Sequence, residues 1–429
     1  MVSTALLTDH YELTMLQATL ADGTADRRCV FEVFGRRLNG GRRFGVVAGT
    51  GRVLDTLAHF RFGDDEIDFL RRHEIVDAAT CDWLADYRFT GDIWGYPEGE
   101  LWFPGSPVLR VDATFGEGVI LETVILSILN HDSAIASAAA RMTMAAGDRP
   151  CIEMGTRRTH EESAVAAARA AYIAGFAATS NLEAGRRHAI PTAGTAAHAF
   201  TLVHDTERDA FASQVASLGH DTTLLVDTYD TSQGVATAIE VGGRELGGVR
   251  LDSGDLGDVA RATRAQLDAA GNTDTRITVT SDLDEYAIAA LAADPVDGYG
   301  VGTSLVTGSG VPTVGFVYKL VSREGADGTL VGVAKKSKDK ASVGGRKTAL
   351  RRLSSRGVAE AEVVGVDVRP RDDGDDRELM VPLVEGGQRV DESTLQDARE
   401  RLQASLRELP AAARRLSKGD PAIPTIYED

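Results

Sequence analysis

Four short apolar runs in the middle of the chain each end in residues suited to a reaction centre. Leu224-Leu225-Val226 ends at Asp227, and Gly248-Val249-Arg250-Leu251 ends at Asp252-Ser253-Gly254-Asp255. Ile277-Thr278-Val279-Thr280 ends at Ser281-Asp282, and Tyr299-Gly300-Val301 ends at Gly302-Thr303-Ser304. Carboxylates of this kind can hold a divalent cation, and backbone N–H groups in a glycine-led turn can cradle a phosphate. Three acidic ends and one glycine-rich end therefore suit a sugar phosphate with a divalent cation. Each has a plainer reading when taken singly: 252–255 as the cap of the helix that follows, and 302–304 as a tight turn.

The elements that must position these residues are βα units. Helix-like segments at 234–239, 256–270 and 284–293 separate the apolar runs, so strand and helix alternate every 20 to 30 residues or roughly so, the pattern of a parallel sheet. In a closed barrel or an open doubly wound sheet, the residues just after each strand converge on one face. The same rhythm begins near Cys151-Ile152-Glu153-Met154, followed by Gly155-Thr156-Arg157-Arg158. Arg157 and Arg158 either meet an anionic ligand or neutralise Glu161 and Glu162 at the start of the next helix. Thr179-Ser180-Asn181 and Pro191-Thr192-Ala193-Gly194-Thr195-Ala196-Ala197-His198 read as two more strand ends. On its own, His198 is a core histidine or a functional one.

Outside this region the signals are sparser. Thr8 or Asp9 caps a helix carrying Leu13, Leu16 and Leu20, and 29–34 reads as an alternating strand. Arg36, Arg37, Arg42 and Arg43 surround a glycine-rich turn, which either clamps phosphate or forms a solvated hairpin tip. Short antiparallel strands are expected over 91–111, and a buried helix over 121–145 leading into the barrel. Beyond 310, a strand over 313–321 carries Lys319. A basic run follows from Lys335 through Lys338 and Lys340 to Lys347, continued by Arg351 and Arg352. It reads as a basic surface loop or as a pyrophosphate clamp over the barrel mouth. An acidic turn at 371–376 and a polar helix from 391 to about 409 carry no catalytic signal. The expected division is a sheet-domain portion at 1–120, a catalytic α/β barrel at 121–310, and the rest of the sheet domain with a helical tail at 311–429.

Composition narrows the partners. The formal charge of −18 over 429 residues excludes nucleic acid and anionic membrane as principal partners, since both need basic faces. An anionic substrate must then be met by a local basic cluster. Three scattered cysteines fit neither a disulfide framework nor a zinc site and point to a reduced cytoplasm. No charged-then-apolar leader and no membrane span is expected.

With these residues assembled, the chain resembles the nicotinate phosphoribosyltransferases over nearly its full length. The resemblance is carried by Thr8-Asp9-His10-Tyr11-Glu12, Gly155-Thr156-Arg157-Arg158, Thr179-Ser180-Asn181, Gly194-Thr195-Ala196-Ala197-His198 and Val226-Asp227-Thr228-Tyr229-Asp230. Val249-Arg250-Leu251-Asp252-Ser253-Gly254-Asp255, Ser281-Asp282, Gly300-Val301-Gly302-Thr303 and Tyr318-Lys319-Leu320 extend it. It implies an irregular (β/α) barrel of the type II phosphoribosyltransferases, with a flanking α+β sheet domain built from both chain ends, in a homodimer with shared active sites. The implied reaction joins nicotinate to phosphoribosyl pyrophosphate, giving nicotinate mononucleotide and pyrophosphate for NAD synthesis, with ATP hydrolysis coupled through phosphorylated His198.

By similarity, Tyr11 of the other subunit stacks on the pyridine ring and Arg157 meets its carboxylate, with Thr179 nearby. Ser180 stands where the nicotinamide-using relatives place an aspartate, which favours the acid over the amide. Arg250, Asp252 and Asp255 would hold the ribose hydroxyls and Mg²⁺, the aspartates directly or through water, while Ser281, Gly302 and Thr303 would serve the phosphoribosyl group. Arg36, Arg37 and the Lys335–Lys347 segment, which includes Lys338 and Lys340, would take pyrophosphate and later the phosphates of ATP, and Lys319 would also contact substrate. Asn39 departs from the proline that many relatives carry after the arginines. Nicotinamide- and quinolinate-using sister enzymes are the nearest alternatives, disfavoured by Ser180 and the 194–198 stretch. A silent nucleotide-binding barrel would lack the acidic ends or His198. A sugar-phosphate aldolase or isomerase would need a lysine or glutamate base at a strand end, which none of these ends is read as supplying.

Overall fold

A computed structural model describes residues 3–335 and 342–429. The chain forms two compact units, one comprising Met1–Ser137 with Val311–Asp429 and the other Ala138–Gly310. The sequence reading put the first division at 120, ahead of the long helix; the units instead divide inside the helix Glu122–Ala146.

The first unit is built on a seven-stranded sheet in which Arg28–Gly35 pairs antiparallel with both Phe316–Glu324 and Leu109–Thr114. Beyond its first residue this strand is buried on both faces, because Glu32 turns inward to a buried lysine instead of outward to water. The expected short strands over 91–111 are Asp92–Gly95 and Leu101–Trp102, with Leu109–Thr114 running just past them. Trp102, fully buried, packs so closely that a Cβ at Gly45 would overlap its indole and one at Gly35 would come within 2.5 Å of it. Gly45→Ala is therefore expected to destabilise this unit by ~1–3 kcal/mol through overpacking. A lowered thermal midpoint checks it, and an unchanged midpoint would mean that the indole yields freely.

The strand Lys347–Leu353 corrects the reading of the basic run. Side chains alternate along a strand, and Lys347, Ala349 and Arg351 all take the inward direction. Lys347 Nζ donates to Glu32 at 2.9 Å, and Arg351 Nη2 donates to Glu362 at 2.7 Å. Both cations are almost completely buried, and the Arg351 network continues through Glu100 to Arg377 and Ser405. These cations are therefore internal ion pairs and not part of a surface clamp; Lys338 and Lys340 lie outside the described residues.

The second unit carries the βα rhythm. Its strands are β1 (Cys151–Glu153), β2 (Ala178–Thr179), β3 (Thr223–Leu225), β4 (Gly248–Leu251), β5 (Arg276–Ser281) and β6 (Gly298–Val301). They form one parallel sheet in the order β2-β1-β6-β5-β4-β3. Among the described residues β2 and β3 are edges, so the sheet is a half barrel, the open one of the two arrangements that the βα rhythm allows. After β2 the segment from Pro191 makes a single parallel bridge, Thr179 with Thr192, and residues 193–197 form no strand. Proline has no N–H with which to extend the ladder.

Helices between the strands bury regularly spaced small residues. Leu256–Ala269 buries Gly257, Ala260, Thr263 and Leu267, the three-to-four spacing of one helix face. Among the described residues one helical stretch, Phe115–Ala146, is long and apolar enough to cross a membrane by length and composition. Two thirds (67%) of its most apolar window is buried inside the protein, so its apolarity is that of a core helix. Cys29, Cys81 and Cys151 are free and buried.

Candidate active site

A cavity of about 580 Å³ opens at the carboxyl ends of the parallel strands of the second unit. Its wall is made by Arg157 after β1, Ser180 after β2, Arg250 and Asp252 at β4, Ser281 at β5, and Gly302 and Thr303 after β6. His198 joins them from the loop beginning at Ala193. The pleat explains Arg250: its neighbours Val249 and Leu251 are fully buried on one side of β4, so its side chain emerges on the other.

The β4 side of the cavity is a hydrogen-bonded acidic array. Asp227, buried just after β3, accepts the N–H of Asp252 at 2.8 Å and the hydroxyl of Ser253 at 2.7 Å through Oδ2. Its Oδ1 is buried with no hydrogen-bond partner among the described residues. Asp252 Oδ1 accepts the Thr280 hydroxyl, and its Oδ2 lies 3.8 Å from His198 Nε2. The other imidazole nitrogen, Nδ1, is 3.1 Å from the Thr228 hydroxyl. Arg250 Nη1 donates to the Thr195 hydroxyl, tying the 193–198 loop to β4. Burial draws the Arg250 pKa below the usual arginine value while Asp252 and Asp227 oppose that shift; a guanidinium so placed stays cationic.

The β1–β2 side differs. Arg157 and Arg158 stand in a short 3₁₀ turn, exposed and without an ion pair among the described residues. The two acids at the start of the next helix are engaged elsewhere, Glu161 near His160 at 3.6 Å and Glu162 with Arg187 at 2.7 Å. Ser180 Oγ lies 3.4 Å from Thr156 Oγ1, so this wall is cationic and hydroxylic with no carboxylate facing in from Ser180. Two features fix the strand ends. Ser281 holds φ at 141°, a strained value for a residue with a side chain and one often found at functional sites. A Cβ on Gly300 would sit 2.5 Å from Thr280 and 2.7 Å from the Met154 sulfur, so only glycine lets β6 lie this close to its neighbours.

Two expected site residues face elsewhere. Thr179 is fully buried and donates its hydroxyl to Glu153. Asp255 caps the helix Leu256–Ala269, accepting the Asp258 N–H at 3.2 Å, and does not line the cavity. In the first unit, Tyr11 is 45% exposed; burial of its hydroxyl side and the nearby Glu122 push its pKa up to about 12. Lys319 Nζ is 3.3 Å from the same Glu122, so the two residues share one carboxylate. Of the four arginines around the glycine turn, only Arg36 and Arg37 are exposed, Arg36 lying over the Phe34 ring. Arg42 is buried with Nη1 on the Ala134 carbonyl, and Arg43 Nε donates to the Ser417 carbonyl. The possible clamp is thus reduced to two residues.

Thr195 and Thr228 belong to the array and Glu153 lies behind the β1–β2 wall, and none of the three is singled out in the sequence. Glu153 was legible by the rule that found Asp227 and Asp252, an acid closing an apolar run, and it does place a glutamate at a strand end. Its carboxylate is wholly buried and outside the cavity lining, so it is no base for a bound sugar.

Fold and cavity together define an α/β protein of enzyme type, with an anion-receiving pocket at the carboxyl edge of a parallel half barrel. A model of the nicotinate phosphoribosyltransferase N-terminal domain matches residues 6–130. The nicotinate phosphoribosyltransferase pncB1 of Mycobacterium tuberculosis is 57% identical, covering 98% of this chain and 94% of its own. The nicotinate phosphoribosyltransferase of Bacillus subtilis is 40% identical, covering 81% and 73%. Among solved structures, human nicotinic acid phosphoribosyltransferase matches with a TM-score of 0.83 at 25% identity over 98% of each chain. Nicotinate-nucleotide pyrophosphorylase from Pyrococcus furiosus matches in fold, with a TM-score of 0.78 at 23% identity over 95% and 97%. The chain belongs to the nicotinate phosphoribosyltransferase family.

Proposed function

We propose that this protein transfers the phosphoribosyl group of phosphoribosyl pyrophosphate to nicotinate, yielding nicotinate mononucleotide and pyrophosphate for NAD synthesis. ATP hydrolysis is coupled to the transfer through phosphorylation of His198. The observation that carries the reading is the pairing, in one cavity, of an unpaired Arg157 beside a neutral Ser180 with the Arg250–Asp252 array. A guanidinium fork matches a carboxylate with two parallel hydrogen bonds, and a serine beside it adds no repulsion.

In the transfer, the pyridine nitrogen forms a bond to C1′ of the ribose as the C1′–O bond to pyrophosphate breaks and its electrons leave with pyrophosphate. The ribose becomes oxocarbenium-like, and the Asp252 carboxylate stabilises the developing positive charge. Arg250 holds the ribose hydroxyls, and Ser281, Gly302 and Thr303 orient the 5′-phosphate. The donor set suits Mg²⁺: Asp252 supplies one oxygen not bonded to Thr280, and an ion that keeps several waters and takes the rest from substrate phosphates needs only one or two protein carboxylates. When bound, Mg²⁺ neutralises the leaving pyrophosphate. Asp255, in the cap, reaches such an ion only through water. Tyr11, offered across a homodimer, covers the pyridine ring, while Arg36, Arg37, Lys319, Lys338 and Lys340 serve pyrophosphate and ATP. Three free, buried cysteines support a reduced, cytoplasmic setting.

The test is product formation from phosphoribosyl pyrophosphate with nicotinate, nicotinamide or quinolinate. Nicotinate is expected to be preferred by at least about 10²-fold in kcat/KM, because the amide leaves Arg157 without its anion. Equal use of nicotinamide would remove the role given to Ser180 and Arg157, and no product with any base would remove the reading.

A further inference from the structure

Glu153 closes β1, is wholly buried, and does not line the cavity, yet three hydrogen bonds converge on it. Its Oε1 accepts the Gly155 N–H, its Oε2 accepts the Thr179 hydroxyl, and its backbone carbonyl accepts the Ser180 N–H at 2.8 Å. The donors belong to two turns. One carries Thr156, Arg157 and Arg158; the other carries Ser180. The Thr179 hydroxyl in turn accepts the Asn181 N–H at 3.0 Å, and Asn181 caps the next helix through the Ala184 N–H at 2.8 Å. A single carboxylate thus joins the turn bearing Arg157 to both flanks of Ser180.

Among the described residues no cationic side chain lies within ion-pair distance of Glu153. Burial raises its pKa, opposed by the bonds from Thr179 and Gly155. A buried carboxyl group held only by neutral donors is unfavourable unless its geometry is needed, and packing alone would be served by an apolar residue. None of its side-chain bonds reaches β4, β5 or β6, which carry Arg250, Asp252, Ser281, Gly302 and Thr303.

We propose that Glu153, acting through Gly155 and the Thr179 hydroxyl, is a positioning residue that sets the separation of Arg157 and Ser180 and thereby the affinity for the pyridine carboxylate, but not for the phosphoribosyl donor. This rests on the function proposed above.

Thr179 provides the decisive comparison. Thr179→Val keeps the shape and removes the hydroxyl; Thr179→Ser keeps the hydroxyl and removes a methyl group. Steady-state KM values for nicotinate and phosphoribosyl pyrophosphate are measured for both, together with Glu153→Gln, which retains an acceptor for Gly155 and carries the comparison if the valine variant does not fold. Thr179→Val and Glu153→Gln are expected to raise the nicotinate KM about tenfold, the effect of one buried hydrogen bond to a charged group, with the other KM within about twofold. Thr179→Ser should stay within about twofold for both substrates. A packing role would make serine the worse replacement or move both KM values together, and either result overturns the proposal. Wild-type protein that makes no nicotinate mononucleotide would remove the underlying function. Wild type that makes it, with variants of unchanged nicotinate KM, would remove the positioning role alone.

Discussion

His198→Ala is expected to form nicotinate mononucleotide at one rate with or without ATP, and the intact protein is expected to be accelerated by it. The imidazole Nδ1 lies 3.1 Å from the Thr228 hydroxyl, its Nε2 lies 3.8 Å from Asp252 Oδ2, and its side chain is 41% exposed. It can therefore be reached from the cavity. Under the proposed coupling, transfer of the ATP γ-phosphoryl group to the imidazole would form an N–P bond and release ADP, adding roughly 1.5 to 2 negative charges close to Asp252. That charge would alter the affinity for anionic substrate and pyrophosphate on the same wall, so that later hydrolysis of the N–P bond would drive the transfer. Alanine retains the cavity and removes only the phosphoryl acceptor. Acid-labile label from γ-phosphate-labelled ATP should appear on the wild type and vanish in the variant. ATP stimulation that survives in His198→Ala would take this residue out of the coupling.

The second large effect is expected at Asp252. Asp252→Asn should lower kcat by about 10²–10³-fold, the scale of losing one preorganised electrostatic contact to a transition state, with little change in thermal midpoint. The substitution is nearly isosteric. The backbone N–H still reaches Asp227, and the amide oxygen can still accept from Thr280, so the array keeps its shape and loses its charge. Asp255→Asn is the internal comparison. Asparagine caps a helix as well as aspartate does, so a residue whose work is the cap of Leu256–Ala269 should leave kcat within about threefold. Equal losses at the two positions would return Asp255 to the chemistry, and a wild-type kcat in Asp252→Asn would remove the carboxylate from it.

What could be read in the chain and what could not follow a physical divide. The strand ends at Asp252, Ser281 and Gly302 were legible because parallel strands leave apolar runs of fixed length, and topology alone sends their carboxyl ends to one face. Direction within a turn was not legible. Asp252 and Asp255 stand three residues apart with the same chemistry, and only the start of the following helix decides that the second is turned to backbone N–H groups. Nor could the fate of the cations be read: Lys347 and Arg351 look like a surface run until pairing with Glu32 and Glu362, both far from them or across a neighbouring strand, makes their burial tolerable. Whether the sheet closes was not legible, because the 191–198 segment carries the small polar residues of a strand end yet bridges the sheet only at Thr192, through hydrogen bonds of Pro191 and Ala193 with Thr179.

The order of synthesis bears differently on the two units. The half barrel is one uninterrupted segment, and its six strands have all left the ribosome once residue 310 has. The seven-stranded sheet pairs Cys29 with Arg323, so its long strand Arg28–Gly35 waits through the translation of the whole catalytic segment for its partner. During that interval the apolar edge formed by Phe31, Val33 and Phe34 has no native neighbour from the chain's later third. That makes the nascent chain, more than the finished protein, the stage at which aggregation would begin and at which chaperone binding would matter most.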